Sequence, residues 1–205
     1  MDWNSFEVGP RPDHESIIRM GRKHQKASPN QDRLRNWYPP ECGRVPIESA
    51  RLVCQRANLV WDSNLRAEFS HWLLAIPLFA GIVSFVFGLM LKWSLESFVL
   101  SAIIPLLPWI LRLLREREKH LRVAADKQYL RQHVEELLAK ASEGRLSKAE
   151  AATESRKLQD RLFDSRKSSI LIPEWFYRKH REHLEGEMRE ATRKLIIDFE
   201  RNPLK

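Results

Sequence analysis

From Phe69 to Leu91 the chain runs for 23 residues without a formally charged side chain, FSHWLLAIPLFAGIVSFVFGLML. A helix rises about 1.5 Å per residue, so this run covers about 34 Å and spans a hydrocarbon core about 30 Å thick. It reads as a transmembrane helix. After the break KWSLE a second apolar run, Ser97 to Leu111, has only 15 residues and contains Pro105 and Pro108. It reaches about 22 Å alone, but Leu95 before it, Leu113 and Leu114 after it, and snorkelling by Arg112 make up the difference. The expected fold is mainly α, an integral membrane helical hairpin with cytosolic helical regions before and after it. Its boundaries fall at 1–66, 67–111 (spans about 69–91 and 97–111) and 112–205. The alternative for the second run is a re-entrant or interfacial segment.

Charge gives the orientation. Arg51, Arg56 and Arg66 precede the apolar block, Arg112, Arg115, Arg117, Lys119 and Arg122 follow it, and the connecting turn holds Lys92 against Glu96. By the positive-inside rule both ends lie in the cytoplasm. Trp72, Trp93 and Trp109 stand near the span ends, where aromatic rings favour the interface. The net charge of +8 attracts anionic partners, whether nucleotides, nucleic acid or acidic lipid. Residues 112–205 hold 23 basic and 17 acidic side chains, so most of the excess follows the hairpin.

The flanking regions read as helices. Trp3, Phe6 and Val8 precede a short helix capped by Asp13 and carrying Ile17, Ile18 and Met20. Pro46 is placed to open a helix whose Ala50, Cys54, Ala57, Trp61, Leu65 and Trp72 form a stripe running into the first span. Leu130, Val134, Leu137, Leu138 and Ala141 share one face, interrupted by SEG at 142–144. Ser147 with Glu150 has the sequence of a capping box, followed by Ala151, Ser155, Leu158 and Leu162. Pro173 opens a last helix carrying Tyr177, Leu184, Met188, Ala191, Leu195 and Phe199 inward.

No enzyme motif stands out: there is no GxxxxGK[ST], GxGxxG, HExxH or GxSxG, and no cofactor is expected. His180 and His183 with Glu187 have a metal-like spacing, but a catalytic metal needs a third protein ligand, so they read as a solvated face. Cys42 and Cys54 read as small buried side chains. Gly81, Ser84 and Gly88 share one side of the first span, fit for an oligomer seam or for packing against the second span. The spans offer little polarity beyond His71, Ser84, Ser97 and Ser101, which argues against a selective ion channel.

Three aromatic and basic clusters are candidates for a nucleotide, since guanidinium groups pair with phosphates and rings stack on bases. They are Arg33, Arg35, Trp37 and Tyr38; Arg51, Gln55, Arg56 and Asn58; and Arg161, Arg166, Lys167, Trp175, Tyr177 and Arg178. Anionic lipid for the arginines and interface packing for the rings remain the alternatives.

The stretches WNSFEVGPRPDHESI, LRNWYPP, ARLVCQRANLVWDSNLR and LQDRLFDSRKSSILIPEWFYRKHREHLEGEM, in this order, resemble the SMODS-associating four-transmembrane effector family of the anti-phage signalling systems called CBASS. The resemblance covers nearly the whole chain. It implies a multi-pass effector of the bacterial inner membrane, activated by a cyclic oligonucleotide so that the membrane is permeabilised and the infected cell stops growing or dies. It also implies an earlier hairpin, which this chain does not carry. A homo-oligomer is therefore expected, with a further subunit as the source of the missing hairpin, and no DNA or RNA partner. The rival from another class is a membrane-anchored helical adaptor that binds a protein partner.

Overall fold

The computed structural model describes residues 37–201, together with Glu15, Ile18, Arg19 and Arg22. The chain divides into two units, Met1–Trp37 and Tyr38–Lys205. In the first, Glu15, Ile18, Arg19 and Arg22 are helical and Trp37 is not; Trp3, Phe6, Val8, Asp13, Ile17, Met20, Arg33 and Arg35 lie outside the described residues. The fold below is that of the second unit.

A 3-10 turn, Pro40–Arg44, leads into α1, Ile47–Met90. A short turn returns the chain into α2, Leu95–Ser142, and α3, Lys148–Ser168, and α4, Glu174–Arg201, complete the unit. Among the described residues every regular element is helical. At about 1.5 Å per residue, α1 is about 66 Å long and α2 about 72 Å. Each is roughly twice the length needed to cross a bilayer. One half of each belongs to a packed bundle and the other half stands bare.

The return is set by a left-handed residue. Lys92 has φ 52, and the Trp93 N–H donates to the Gly88 carbonyl at 3.0 Å, which satisfies an orphan carbonyl at the end of α1. Ser94 then caps α2 by accepting from the Ser97 N–H. α1 and α2 run antiparallel: Gly88 meets Phe98, Arg66 meets His120, Asp62 meets Lys127 and Arg56 meets Glu135, so numbers fall along α2 as they rise along α1. The second apolar run lies in a helix that continues unbroken into its charged part, with a π-type turn at Val99–Ile103.

The first half of α1 is the centre of the bundle. Leu52, Val53, Ala57, Leu59 and Leu65 are buried, with Val134, Leu138, Leu158, Leu162 and Ile196 from the other helices in contact with its upper part. Truncating one such leucine or isoleucine to alanine costs about 2–5 kcal/mol. The expected α1 stripe is therefore too narrow. Packing on three sides buries Leu52, Val53, Gln55 and Ser63 as well, while Trp72 stays 39% exposed. Pro46 precedes α1 instead of opening it, its carbonyl accepting from the Ala50 N–H at 2.8 Å, and Pro173 does the same for α4.

The capping box at Ser147 and Glu150 forms, and Ala151, Ser155, Leu158 and Leu162 are buried behind it. On α4 the buried line is Phe176, Leu184, Met188, Thr192 and Ile196. Ala191 faces solvent, because Thr192 hydrogen-bonds its hydroxyl to the Met188 carbonyl at 2.7 Å and so buries cheaply in its place.

Beyond Leu73 the character of α1 inverts. Leu74, Ile76, Leu78, Phe79, Ile82, Val83, Phe85, Val86, Phe87, Leu89 and Met90 are exposed, as are Leu100, Ile104, Leu107, Trp109 and Leu111 on α2. Only 11% of the most apolar stretch of α1, and 0% of that of α2, is buried, whereas the core helix of a water-soluble protein would be mostly buried. So large an apolar surface needs a non-aqueous surrounding. Gly88 packs within the hairpin: a Cβ there would lie 2.9 Å from Phe98 Cδ2, whereas a Cβ on Gly81 would meet nothing within 4 Å. Gly88→Leu should therefore overpack the hairpin at a cost of about 1–3 kcal/mol and lower the Tm in detergent. Gly81→Leu, measured alongside, should leave Tm unchanged.

Candidate functional site

The bundle meets the apolar hairpin through a cluster of buried charge. Asp62 and Arg66 are one turn apart on α1, a spacing that puts both on one face. Asp62 Oδ1 accepts from Arg66 Nε at 3.1 Å, and Asp62 Oδ2 takes Lys127 Nζ of α2 at 2.5 Å. Arg66 also reaches His120 Nδ1 at 3.3 Å and donates to the Ile170 carbonyl, between α3 and α4, at 3.1 Å. Arg66, His120 and Lys127 are 6%, 1% and 1% exposed. One carboxylate thus serves two buried cations.

A guanidinium only donates, so His120 Nδ1 must accept and the neutral ring is the compatible form. Burial, followed by the Arg66 charge, pushes the His120 pKa down, and Glu116 and Asp62 oppose this. Phe69 closes the other side, its ring edge-on to His120 with centroids 4.9 Å apart.

One turn further along α1 an aromatic layer begins. Phe69 and Phe176 pack at 4.9 Å, Trp72 and Trp175 at 6.1 Å, and Phe176 stacks on His180 at 4.0 Å. Lys179 Nζ lies 4.7 Å over the Trp72 ring. Leu65, Leu73 and Leu184 fill the space between, with Leu113 and Ile172 against them. The bundle is therefore tied to both spans at the point where they leave it.

The candidate nucleotide residues go to different places. Arg33 and Arg35 lie outside the described residues. Tyr38 Oη accepts from Asn58 Nδ2 at 2.6 Å; burial pushes its phenol up, while the Asn58 bond and the nearby Arg166 charge pull it down. Tyr38 and Asn58, from two different sequence clusters, thus meet, and the charge of Arg166, from the third, acts on the phenol, with Trp37 half-buried and Lys167 exposed beside them in sequence. Gln55 is turned inward, donating to the Ser155 carbonyl at 2.8 Å, and Arg56 is held by Glu135 at 2.7 Å. Arg51 is half-buried. Trp175 sits on Trp72, Tyr177 edge-on to Trp61 at 5.5 Å, and Arg178 pairs with Glu174 at 2.9 Å.

His180 and His183 diverge, the first against Phe176 and Glu68, the second exposed and paired with Glu187 at 3.2 Å. Cys42 and Cys54 share one apolar cluster. Burial above all raises both thiols, Cys54 to about 12. Neither is a ready nucleophile.

Sequence reading offered Arg66 only as a positive-inside charge and did not single out Asp62, His120 or Lys127. The signal available was their spacing: His120, Ala124 and Lys127 extend the Leu130 to Leu138 stripe backwards at three- and four-residue steps, with ionisable groups where apolar ones are usual.

A membrane-associated helical hairpin carried by a charged helical bundle is the class this geometry defines. The family model of the SMODS-associating 4TM effector domain matches residues 1–195, and the chain belongs to that family. It is similar to a protein of Bacillus cereus (strain VD146) named "Probable CBASS effector molecule", with 26% identity over 176 residues. That match covers 85% of this chain and 57% of the relative, so the chain spans little more than half of the protein it resembles. No solved structure matches it.

Two outcomes follow from the charged cluster. Asp62→Asn strands two buried cations and should cost about 3–5 kcal/mol. Lys127→Met leaves Asp62 paired with Arg66 and should cost much less; Tm values of the two variants in detergent give the order. Because the His120 pKa is depressed in the folded chain, the unfolded chain binds a proton first as pH falls below about 6.5. Stability is then full above that pH and is lost on acidification, and Tm measured from pH 7.5 to 5.5 should fall less steeply in His120→Gln, which keeps an acceptor for Arg66.

Proposed function

We propose that this chain is the membrane-acting part of a CBASS effector, seated in the bacterial inner membrane with both termini cytoplasmic. A cyclic oligonucleotide made on infection activates it, and several copies associate and permeabilise the membrane. Family membership and the printed name of the Bacillus relative support the setting. The observation that carries the mechanism is the continuity of α1, a single helix whose first half is the packed centre of the bundle and whose second half is bare apolar surface. A change of packing around Asp62 or Tyr38 has no flexible joint to absorb it before Leu73.

The apolar spans yield further along. Pro77 of α1 and Pro108 of α2 lie inside their helices, and the antiparallel pairing puts them at similar depth. Proline has no N–H, so the carbonyls of Leu73 and Ile104 lose their helical partners there. Both rods can bend at one level when subunits associate, without any chemical step. The surface around Tyr38, Asn58 and Arg166 is the place proposed for the messenger, because a phenol and an amide are hydrogen-bonded there and the exposed Arg166 adds a nearby cation. A ligand acts from there only by binding the active arrangement more tightly than the resting one.

The test is dye release from liposomes holding the purified chain. Release with one cyclic di- or trinucleotide and not with its linear form is expected. Arg166→Ala, at an exposed position, should raise the nucleotide concentration needed without changing Tm. No release with any cyclic nucleotide, together with recovery of one stable protein partner from cells, would replace this reading with the membrane-anchored adaptor.

A further inference from the structure

The link between α3 and α4, residues 169–173, carries an apolar tip that the bundle does not cover. Leu171 is 88% exposed, more than any other large hydrophobic side chain among the described residues, and Trp175, on the first turn of α4, is 54% exposed. Their neighbours point the other way: the Ile170 carbonyl takes Arg66, Ile172 packs against the Leu65, Phe69 and Leu73 cluster, and Phe176 is 0% exposed. The link is therefore held firmly, with two side chains turned outward.

Its level is fixed by contacts on both spans. Trp175 packs on Trp72, and Ile172 shares a cluster with Leu73 of α1 and Leu113 of α2. Leu73 is the last buried residue before α1 turns bare, and Leu111 and Leu114 are exposed at the same level of α2. The exposed tip is thus continuous with the apolar surface of the hairpin, at its bundle end. Cations flank it along the chain, Arg166 and Lys167 before it and Arg178 and Lys179 after it; Lys179 Nζ lies over the Trp72 ring against which Trp175 packs, and Arg178 is paired with Glu174.

We infer that Leu171 and Trp175 form an interfacial anchor that sits in the headgroup boundary of the same bilayer the spans cross, with Lys167 and Lys179 facing lipid phosphates. Two tryptophans at one depth, an aliphatic tip and flanking cations are the chemistry of that boundary. A second copy of the chain would cover an apolar tip equally well, but the cations around it disfavour a like-charged partner and favour anionic lipid. The anchor rests on the spanning reading above, and it holds the start of α4 to the membrane surface while Arg66 ties the same link to the charged cluster. Motion of the bundle relative to the spans is then resisted at the lipid surface.

The experiment uses the full chain in liposomes containing phosphatidylglycerol, with an environment-sensitive fluorophore on Leu171→Cys, on Val83→Cys in the first span, or on Tyr129→Cys, 68% exposed on the cytosolic part of α2. Cys42 and Cys54 have raised thiol pKa values and label slowly; the wild-type chain gives their background. Lipid spin-labelled near the headgroup should quench the Leu171 probe several-fold more than iodide does, deep spin-labelled lipid should quench Val83, and iodide alone should quench Tyr129. A Leu171 probe quenched like Tyr129, or shielded from both quenchers, overturns the anchor while Val83 still reports lipid. A Val83 probe open to iodide overturns the spanning reading itself.

Discussion

One carboxylate, Asp62, directly and through Arg66, ties α1, α2 and the α3–α4 link together where the bundle meets the apolar hairpin. It neutralises Arg66 on its own helix and Lys127 on the next, and Arg66 in turn reaches His120 and the backbone before α4. Charges this deeply buried are tolerated only when paired, so α1, α2 and the α3–α4 link are committed to one relative arrangement. An apolar cluster would permit sliding by a turn. An ion pair with a single partner geometry does not.

The arrangement matters because of where it lies. The charged cluster sits about one turn before the aromatic layer of Phe69, Trp72 and Phe176, and Leu74 beyond it begins the bare apolar surface. Polar specificity and apolar insertion therefore adjoin on the same two helices. In the bundle the usual rule holds, with apolar groups inside; in the hairpin it is reversed, and the small contacts that remain, such as Gly88 against Phe98, align two rods that gain nothing by hiding from each other.

The hairpin, the returns at Lys92 and Gly144, the capping box at Ser147 and the inward face of α3 were legible because each is written in a few neighbouring residues. The stripes on α1 and α4 were read too narrowly or a residue out of phase. α1 has neighbours on three sides, which no single-face pattern expresses, and Thr192 displaced Ala191 by satisfying its own hydroxyl. The candidate site was legible only in fragments: Tyr38, Asn58 and Arg166 belong to three separate clusters, and Gln55 and Arg56, which look free in sequence, are spent on Ser155 and Glu135.

The sequence by itself determined that the chain is helical and that two stretches reject water, because length, uninterrupted apolarity and caps act locally. It also determined the family, through motifs spread along the chain. Only the tertiary structure decided which charges would be buried and paired, since Asp62 finds Lys127 only after the hairpin brings α2 back antiparallel. It decided too that Leu171 would be left bare at the level where the spans begin, a consequence of packing its neighbours on either side.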